Sequence, residues 1–394
     1  MNRAKIRVAV GISGGVDSAV SALLLKKAGY EVVGVHLYCY PAKSEIEKDG
    51  LTREDWIKKN GCRADEDKKF ALKTALELDI PFVTLDFSEE YNLRVVDYFY
   101  REYEAGRTPN PDVMCNCEIK FGLFLDWALE NGFDFIATGH YAKIITSPPA
   151  VAGPPSPLVQ RGDHGLSLGI PKDRLKDQTY FLWKLTQKEL GHVLFPLGNL
   201  LKSEVRKVAE EVELSVANRP DSQGICFVGN VEARKFLARR LKVKMGEVKN
   251  ISGETIGTHD GVWYYTIGQR GGWSIFPAVQ RKIAVTQGHS DTRTPVFYVV
   301  SKDAEKNELM VGVGEETKRQ KFEVIEVNWM GEGVTVTQCH VRIRHGGKLI
   351  KSKVERLKDK VVVEMREAQR GVAPGQSAVF YSEDGEVLGG GVIA

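Results

Sequence analysis

The sequence predicts an α/β protein, with a doubly wound parallel sheet in its first part and an all-β unit at its far end. Three observations predict this. Short apolar runs at 6–10, 31–37, 81–85 and 133–137 alternate with helix-periodic stretches. From Ile251 onward the pattern changes to short strands and glycine turns. At 394 residues the chain is also too long for one ordinary core, which suggests two or three domains.

Taken in order, 6–10 reads as a buried strand, 11–18 as a tight loop and 19–29 as a helix carrying Leu23, Leu24 and Leu25. Strand, glycine-rich loop and helix together make an anion site. The loop is Gly11, Ile12, Ser13, Gly14, Gly15, Val16, Asp17 and Ser18. Its glycines let the backbone approach a ligand, its serines offer hydroxyls, and the N–H groups of the helix start point at phosphate oxygens. An ordinary strand-to-helix turn is the bland alternative, against which the context argues. The loop has neither the lysine of a Walker loop nor the spacing of a dinucleotide fingerprint. Asp17 would repel bare phosphates, so it is read as a ligand for Mg2+. The string SGGVDS is similar to the pyrophosphate (PP) loop of ATP pyrophosphatases.

A second strand at 31–37 completes a β-α-β unit. Residues 41–61 are charged and read as irregular, 65–78 as helix, 81–85 as strand and 91–105 as helix. The strand 133–137 runs into Thr138-Gly139-His140-Tyr141-Ala142. In such sheets ligands bind at the carboxyl ends of strands, where Gly11, Leu37 and Gly139 fall. Residues 147–157 hold five prolines and read as a loop insertion. Structure resumes at 176–183, a helix is expected over 202–212, and 221–227 reads as a loop before a basic helix. Strands are then expected at 262–265, 296–300, 321–327, 334–343, 360–365 and 377–381, making a barrel or sandwich.

Composition narrows the class. Hydrophobic residues at 42% and charged residues at 27% suit a soluble globular protein, and a net charge of +3 neither demands nor excludes nucleic acid. Without a run of about 18 apolar residues or a signal-peptide pattern, no membrane partner is expected and the location reads as cytoplasmic. The six cysteines, Cys39, Cys62, Cys115, Cys117, Cys226 and Cys339, are then expected as reduced thiols.

Two cysteines stand in chemical contexts. Pro109 and Pro111 stiffen the chain before Cys115, and Ile119, Leu123 and Trp127 follow at helical spacing. Cys115 thus reads as lying at a helix start, where the dipole and Lys120 would favour the thiolate. Around Cys226, Gly224 and short polar residues keep the approach open. If the two loops converge, one thiol carries a reactive sulfur and the other resolves it by exchange. Arg234, Lys235, Arg239, Arg240, Lys242, Lys244 and Lys249 against Glu232 and Glu247 suit phosphates, with a solvated helix face as the alternative.

SGGVDS, TPNPDVMCN with EIKF, TGHYA, KDQTYFLW, RPDSQGICF and YTIGQR, in this order, resemble the bacterial tRNA-specific 2-thiouridylase (MnmA/TrmU) family. The resemblance implies a PP-loop ATP pyrophosphatase domain (1–215), a small central domain carrying the basic helix (216–288) and a C-terminal β-barrel (289–394). It implies ATP and Mg2+, and as partners the tRNAs for lysine, glutamate and glutamine, with a sulfur-relay protein or cysteine desulfurase as donor. By the family pattern Cys226 carries a persulfide and Cys115 is the second catalytic cysteine. Either the terminal sulfur attacks uracil C2 directly or Cys115 releases sulfide, and both routes can leave a Cys115–Cys226 disulfide. The base contacts fall on Asn110, Pro111 and Asp112, and the ATP contacts on the loop, Leu37 and Gly139. The tRNA contacts fall on His140, Lys176, Asp177, Gln178, Arg344, His345 and Gln376. Leu37 replaces a more usual methionine. Cys117 departs from the pattern, which leaves an iron-sulfur cluster on Cys115, Cys117 and Cys226 as an alternative despite poor CxC spacing. Rival classes are another adenylylating synthetase, which would leave both cysteines idle, and an RNA-binding module with a vestigial nucleotide site.

Overall fold

The computed structural model describes residues 5–60, 62–146, 165–221, 233–279, 296–331 and 337–394. Strands β1 (Arg7–Gly11), β2 (Glu31–Tyr38), β3 (Phe82–Asp86) and β4 (Phe135–Ala137) come first, then β5 (Lys143–Thr146), β6 (Leu166–Gly169) and β7 (Val193–Leu194). The order β3-β2-β1-β4-β7 makes the expected sheet, and each of its pairs is parallel. The strands leave β1 in two directions, so the crevice between the ends of β1 and β4 is the switch point where such sheets bind ligands.

Alternation along β1 divides the core in two. Val8 and Val10 pack under the helix Val16–Lys27, whereas Ala9 faces Phe121, Phe124 and Leu125 on the opposite side. The helix Val16–Lys27 is buried nearly all round because a second helix, Lys202–Glu211, lays Val205 and Ala209 against it. Its small residues Ala19, Ser21 and Ala22 permit that double contact.

Residues 41–60 are not irregular. They form two short helices, Lys43–Lys48 and Arg53–Asn60, anchored by the buried Ile46 and Trp56. One apolar anchor per helix is too little periodicity to read amid so much charge. The expected strand at 262–265 is instead a 3-10 turn, Val262–Tyr264, whose first N–H is taken by the Asn307 side chain at 3.2 Å.

The second sheet contains β8 (Gly246–Lys249), β9 (Thr255–His259), β10 (Ser274–Ile275), β11 (Tyr298–Asp303) and β12 (Glu308–Gly312), ordered β10-β9-β8-β12-β11. The last six strands are β13 (Lys318–Trp329), β14 (Gln338–Arg342), β15 (Ile350–Arg356), β16 (Val361–Arg370), β17 (Ser377–Tyr381) and β18 (Glu386–Ile393). They run β13-β16-β15-β14-β17-β18, and pairing of β13 with β18 closes a barrel rather than a sandwich. Outside the closed ring, β18 also pairs with β6, so the β5–β6 hairpin joins the barrel wall to the first unit.

Three arginines of the basic segment after 233 are engaged by other side chains. Arg240 pairs with Asp97 and Glu45 and lies over Tyr100, Arg239 reaches Asn60 and stacks on Trp56, and Arg234 pairs with Asp260. Arg239 and Arg240 fasten the central unit to the first one, whereas Arg234 pairs within the central unit. Among the described residues no helix is long and apolar enough to cross a membrane.

Candidate active site

The loop after β1 is shaped by local constraints. Gly14 has φ +81°, and a Cβ there would lie 2.4 Å from the Asp67 carbonyl oxygen, so no other residue fits. Ser18 Oγ accepts from the Ser13 N–H at 3.1 Å and donates to the Gly15 carbonyl at 3.0 Å, tying the loop's two ends. The side chains of Ile12 and Val16 are buried, which turns the backbone towards the crevice. At the neighbouring strand end, a Cβ on Gly139 would sit 2.8 Å from the Ser18 nitrogen. The Thr138–Ala142 turn therefore touches the helix start. Leu37, at the half-buried end of β2, flanks the same crevice.

A cation reaches the loop from elsewhere in the chain. Lys202, at the first turn of its helix, places Nζ 2.7 Å from both carboxylate oxygens of Asp17 and 2.9 Å from Asp221. Tyr141 donates to the same Asp17 at 2.8 Å. Lys202 thus sits on both oxygens of Asp17, the residue expected to hold Mg2+. Asp221 also accepts from Lys176 and Arg206, each at 2.7 Å. Burial alone would raise its carboxyl, but the bonds from Lys176 and Lys202 outweigh that and hold it at about 2. Arg219 donates to the Gly14 carbonyl at 2.6 Å and to Asp67 at 2.5 Å. Lys202, Arg206, Arg219 and Asp221 were not singled out in the sequence, although Arg219 and Asp221 lie within RPDSQGICF.

The second half of the site is one long helix. Asn110 caps it by accepting from the Val113 N–H at 3.4 Å, and Pro111 takes the first position, where its missing N–H costs nothing. From Cys115 to Leu123 the turns widen into a π-helix, a feature often found at functional sites. Cys115 is therefore a full turn inside the helix and buried, not at its start. Burial pushes its thiol up despite the pull of Lys120, so the expected thiolate is corrected to a thiol. Asp112 is open to solvent yet crowded by protein, which pushes its carboxyl up while Lys120 and His345 pull it down.

Lys120 links the two halves. Its Nζ lies 3.0 Å from Asn116 Oδ1 and 3.5 Å from His140 Nε2, while His140 Nδ1 is 2.8 Å from Thr138 Oγ1. Burial and then Lys120 hold the His140 ring neutral. Cys117 has other neighbours, Glu118, Lys184 and Glu189. Residues two apart on a helix face different ways, so Cys115 and Cys117 do not present their sulfurs to one point and do not fit a shared cluster. Cys226 lies outside the described residues.

The remaining expected contacts hold the site in place or line its rim. Gln376, between β16 and β17, donates to the carbonyls of Thr108 and Pro109 at 3.1 and 2.9 Å. Gln178 accepts from the Tyr141 N–H at 2.9 Å. Asp177 is buried and paired with Arg342 at 2.6 Å, so its charge faces the barrel. Trp183 and Tyr180 also bond across that seam to Ser377. Arg344 and His345 are exposed, the histidine ring lying 4.5 Å from that of Phe181.

Three family models match the chain: "tRNA methyl transferase HUP domain" over residues 6–230, "tRNA methyl transferase PRC-barrel domain" over 234–313 and "Aminomethyltransferase beta-barrel domain" over 319–393. Proteins of Streptococcus thermophilus and Streptococcus sanguinis named tRNA-specific 2-thiouridylase MnmA are each 40% identical across 100% of this chain and 96% of their own length. Among solved structures, NMN synthetase from Francisella tularensis gives a TM-score of 0.31 at 16% identity over 56% of this chain and 67% of that one, too slight a likeness to bear on the site.

Proposed function

Because the chain belongs to the tRNA-specific 2-thiouridylase family, we propose that it converts the wobble uridine of tRNAs for lysine, glutamate and glutamine into 2-thiouridine, consuming ATP and releasing AMP and pyrophosphate. The observation that carries this reading is the Thr138–Ala142 turn. It touches the phosphate loop through Gly139 and the cysteine helix through the approach of His140 to Lys120.

The chemistry needs both halves. Uracil O2 is a very poor leaving group, so it first attacks the α-phosphorus of ATP. The α–β bridging bond breaks, and its electron pair departs with pyrophosphate. That attack is easier once the N3 proton is removed, and Asp112, with opposing influences on its carboxyl, is suited to accept this proton and return it. Sulfur then attacks C2 and AMP leaves. The sulfur comes from a persulfide on Cys226, loaded by a sulfur-relay protein or cysteine desulfurase. In either route the Cys115 thiolate attacks the Cys226 Sγ and breaks the persulfide S–S bond, expelling sulfide or, in the direct route, the sulfur already bonded to C2, and leaves a disulfide that a reductant must later open. Arg344 and His345, exposed on the barrel, are suited to contact tRNA, whereas Asp177, Gln178 and Gln376 position the segments beside it.

Incubating the protein with ATP, Mg2+, sulfide and unmodified tRNA for glutamate is expected to yield 2-thiouridine on digestion, together with tRNA-dependent AMP. Neither product would return the chain to the rival classes. A smaller effect follows from Arg219. In a planar trans peptide the Gly14 carbonyl and the Gly15 N–H point opposite ways, so Arg219 sets where that N–H faces. Replacing Arg219 with methionine is expected to weaken ATP binding about tenfold, as measured by equilibrium titration.

A further inference from the structure

We infer that Thr266 is a positioning residue for the proposed reaction: its hydroxyl, carried by the central unit, sets the direction in which Thr108 delivers the base-contacting residues Asn110 and Asp112. The inference rests on the proposed function, and it gives a task to the YTIGQR stretch at 265–270, which none of the steps above uses.

Thr108 is where the three units meet. Its N–H donates to the Pro374 carbonyl at 2.8 Å and its own carbonyl accepts from Gln376 at 3.1 Å, both partners lying between β16 and β17 of the barrel. Its hydroxyl reaches the central unit instead, 3.4 Å from that of Thr266. Thr108 is buried, and a buried hydroxyl is costly unless it has a partner. The two barrel bonds leave the chain free to roll about the line that joins them. The hydroxyl contact resists that roll.

What happens at Thr108 is passed on. Thr108 and Asn110 each precede a proline, and Pro109 and Pro111 have fixed φ, so the backbone over 108–111 has few soft rotations. Asn110 then caps the cysteine helix, with Pro111 and Asp112 in its first turn. A displacement of Thr108 therefore reappears at Asp112 rather than being absorbed on the way.

Thr266 is itself braced. Its N–H donates to Gln269 Oε1 at 3.1 Å, and its carbonyl accepts from the Gln269 N–H at 2.9 Å. The carbonyl before it, of Tyr265, accepts from Lys302 at 2.6 Å, and the Tyr265 hydroxyl lies 2.8 Å from Asp260 Oδ1. Tyr103, five residues before Thr108, also brings its hydroxyl to Thr266. A hydroxyl on a turn held this firmly can act as a stop. Uracil O2 has to meet the α-phosphorus in line, and an error of about 1 Å in such an approach costs about a hundredfold in rate. Losing one contact loosens the segment without moving it that far, so a smaller cost is expected.

Thr266→Val keeps the branched shape and removes the hydroxyl. With the full-length protein, ATP, Mg2+, sulfide and unmodified tRNA for glutamate, kcat for 2-thiouridine should fall about tenfold while KM for tRNA stays within about twofold of the parent. Thr266→Ser, which keeps the hydroxyl, should retain most of the activity. Thr108→Val should match Thr266→Val, and the double variant should be no slower than either single one, because both remove the same contact. An unchanged kcat, a loss confined to KM, a serine variant as slow as the valine variant, or losses that multiply in the double variant would each overturn the inference. Should Thr266→Val not fold, Thr108→Val against Thr108→Ser makes the same comparison from the other side of the contact. A parent protein that makes no 2-thiouridine would instead sink the proposed function, and this inference with it.

Discussion

Cys115→Ala is expected to abolish formation of 2-thiouridine, a fall of at least about a thousandfold, while tRNA binding and ATP-dependent adenylylation survive. The thiol lies in an apolar cluster with Tyr91, Val95, Phe99 and Ile119. Trimming one sulfur from that cluster leaves a small cavity and a modest stability loss, so the activity loss is separable from unfolding. Cys226→Ala should give the same split. Retained thiolation in either variant would remove that cysteine from the sulfur relay.

The pH profile gives a sharper test of Cys115. Burial raises its thiol above the ordinary value of 9.0, and Lys120 offsets this only in part. An acid with a raised pKa is deprotonated only as the pH climbs, so the reactive thiolate is a minor species at neutrality. Single-turnover transfer from persulfide-loaded enzyme should accelerate about tenfold per pH unit between pH 7 and 9, without a plateau. A flat profile would mean that the thiolate is already formed, as the sequence reading of a cysteine at a helix start supposes.

That difference shows where the sequence is informative. The phosphate loop, the turn at Gly139 and the stiff entry to Cys115 are local patterns, and each residue lies in the expected kind of element. The π-helical turns that bury Cys115 are not local. Cys115 shares its apolar cluster with Phe236 and Leu237 from the central unit, more than a hundred positions away. The basic helix shows the same limit, because Glu45, Asp97 and Asn60 arrive from the first unit to engage Arg240 and Arg239. Lys202 is the clearest case, because nothing in the loop's own spacing says that a distant helix brings a cation onto Asp17.

The largest effect on stability is expected at the seam between the first unit and the barrel. Arg342, on β14, and Asp177 are 9% and 3% exposed, with Nη1 and Oδ2 2.6 Å apart. The other Asp177 oxygen accepts from the Thr179 N–H at 3.0 Å and its hydroxyl at 2.6 Å, and the guanidinium lies 4.9 Å from the centre of the Tyr381 ring. Removing both charges would cost little, because the desolvation that an ion pair pays nearly cancels its attraction. Removing one leaves the other buried and unpaired, which costs about 3–5 kcal/mol. Arg342→Met is therefore expected to lower the thermal midpoint by roughly 10 °C, whereas Arg342→Met with Asp177→Asn should recover most of that loss. The same single variant should slow thiolation, because Asp177 lies between Lys176, which holds Asp221, and Gln178, which holds Tyr141. A single variant melting within about 2 °C of the parent would show that the pair does not hold the seam, and Trp183 and Tyr180, bonded to Ser377, would then be its main attachment.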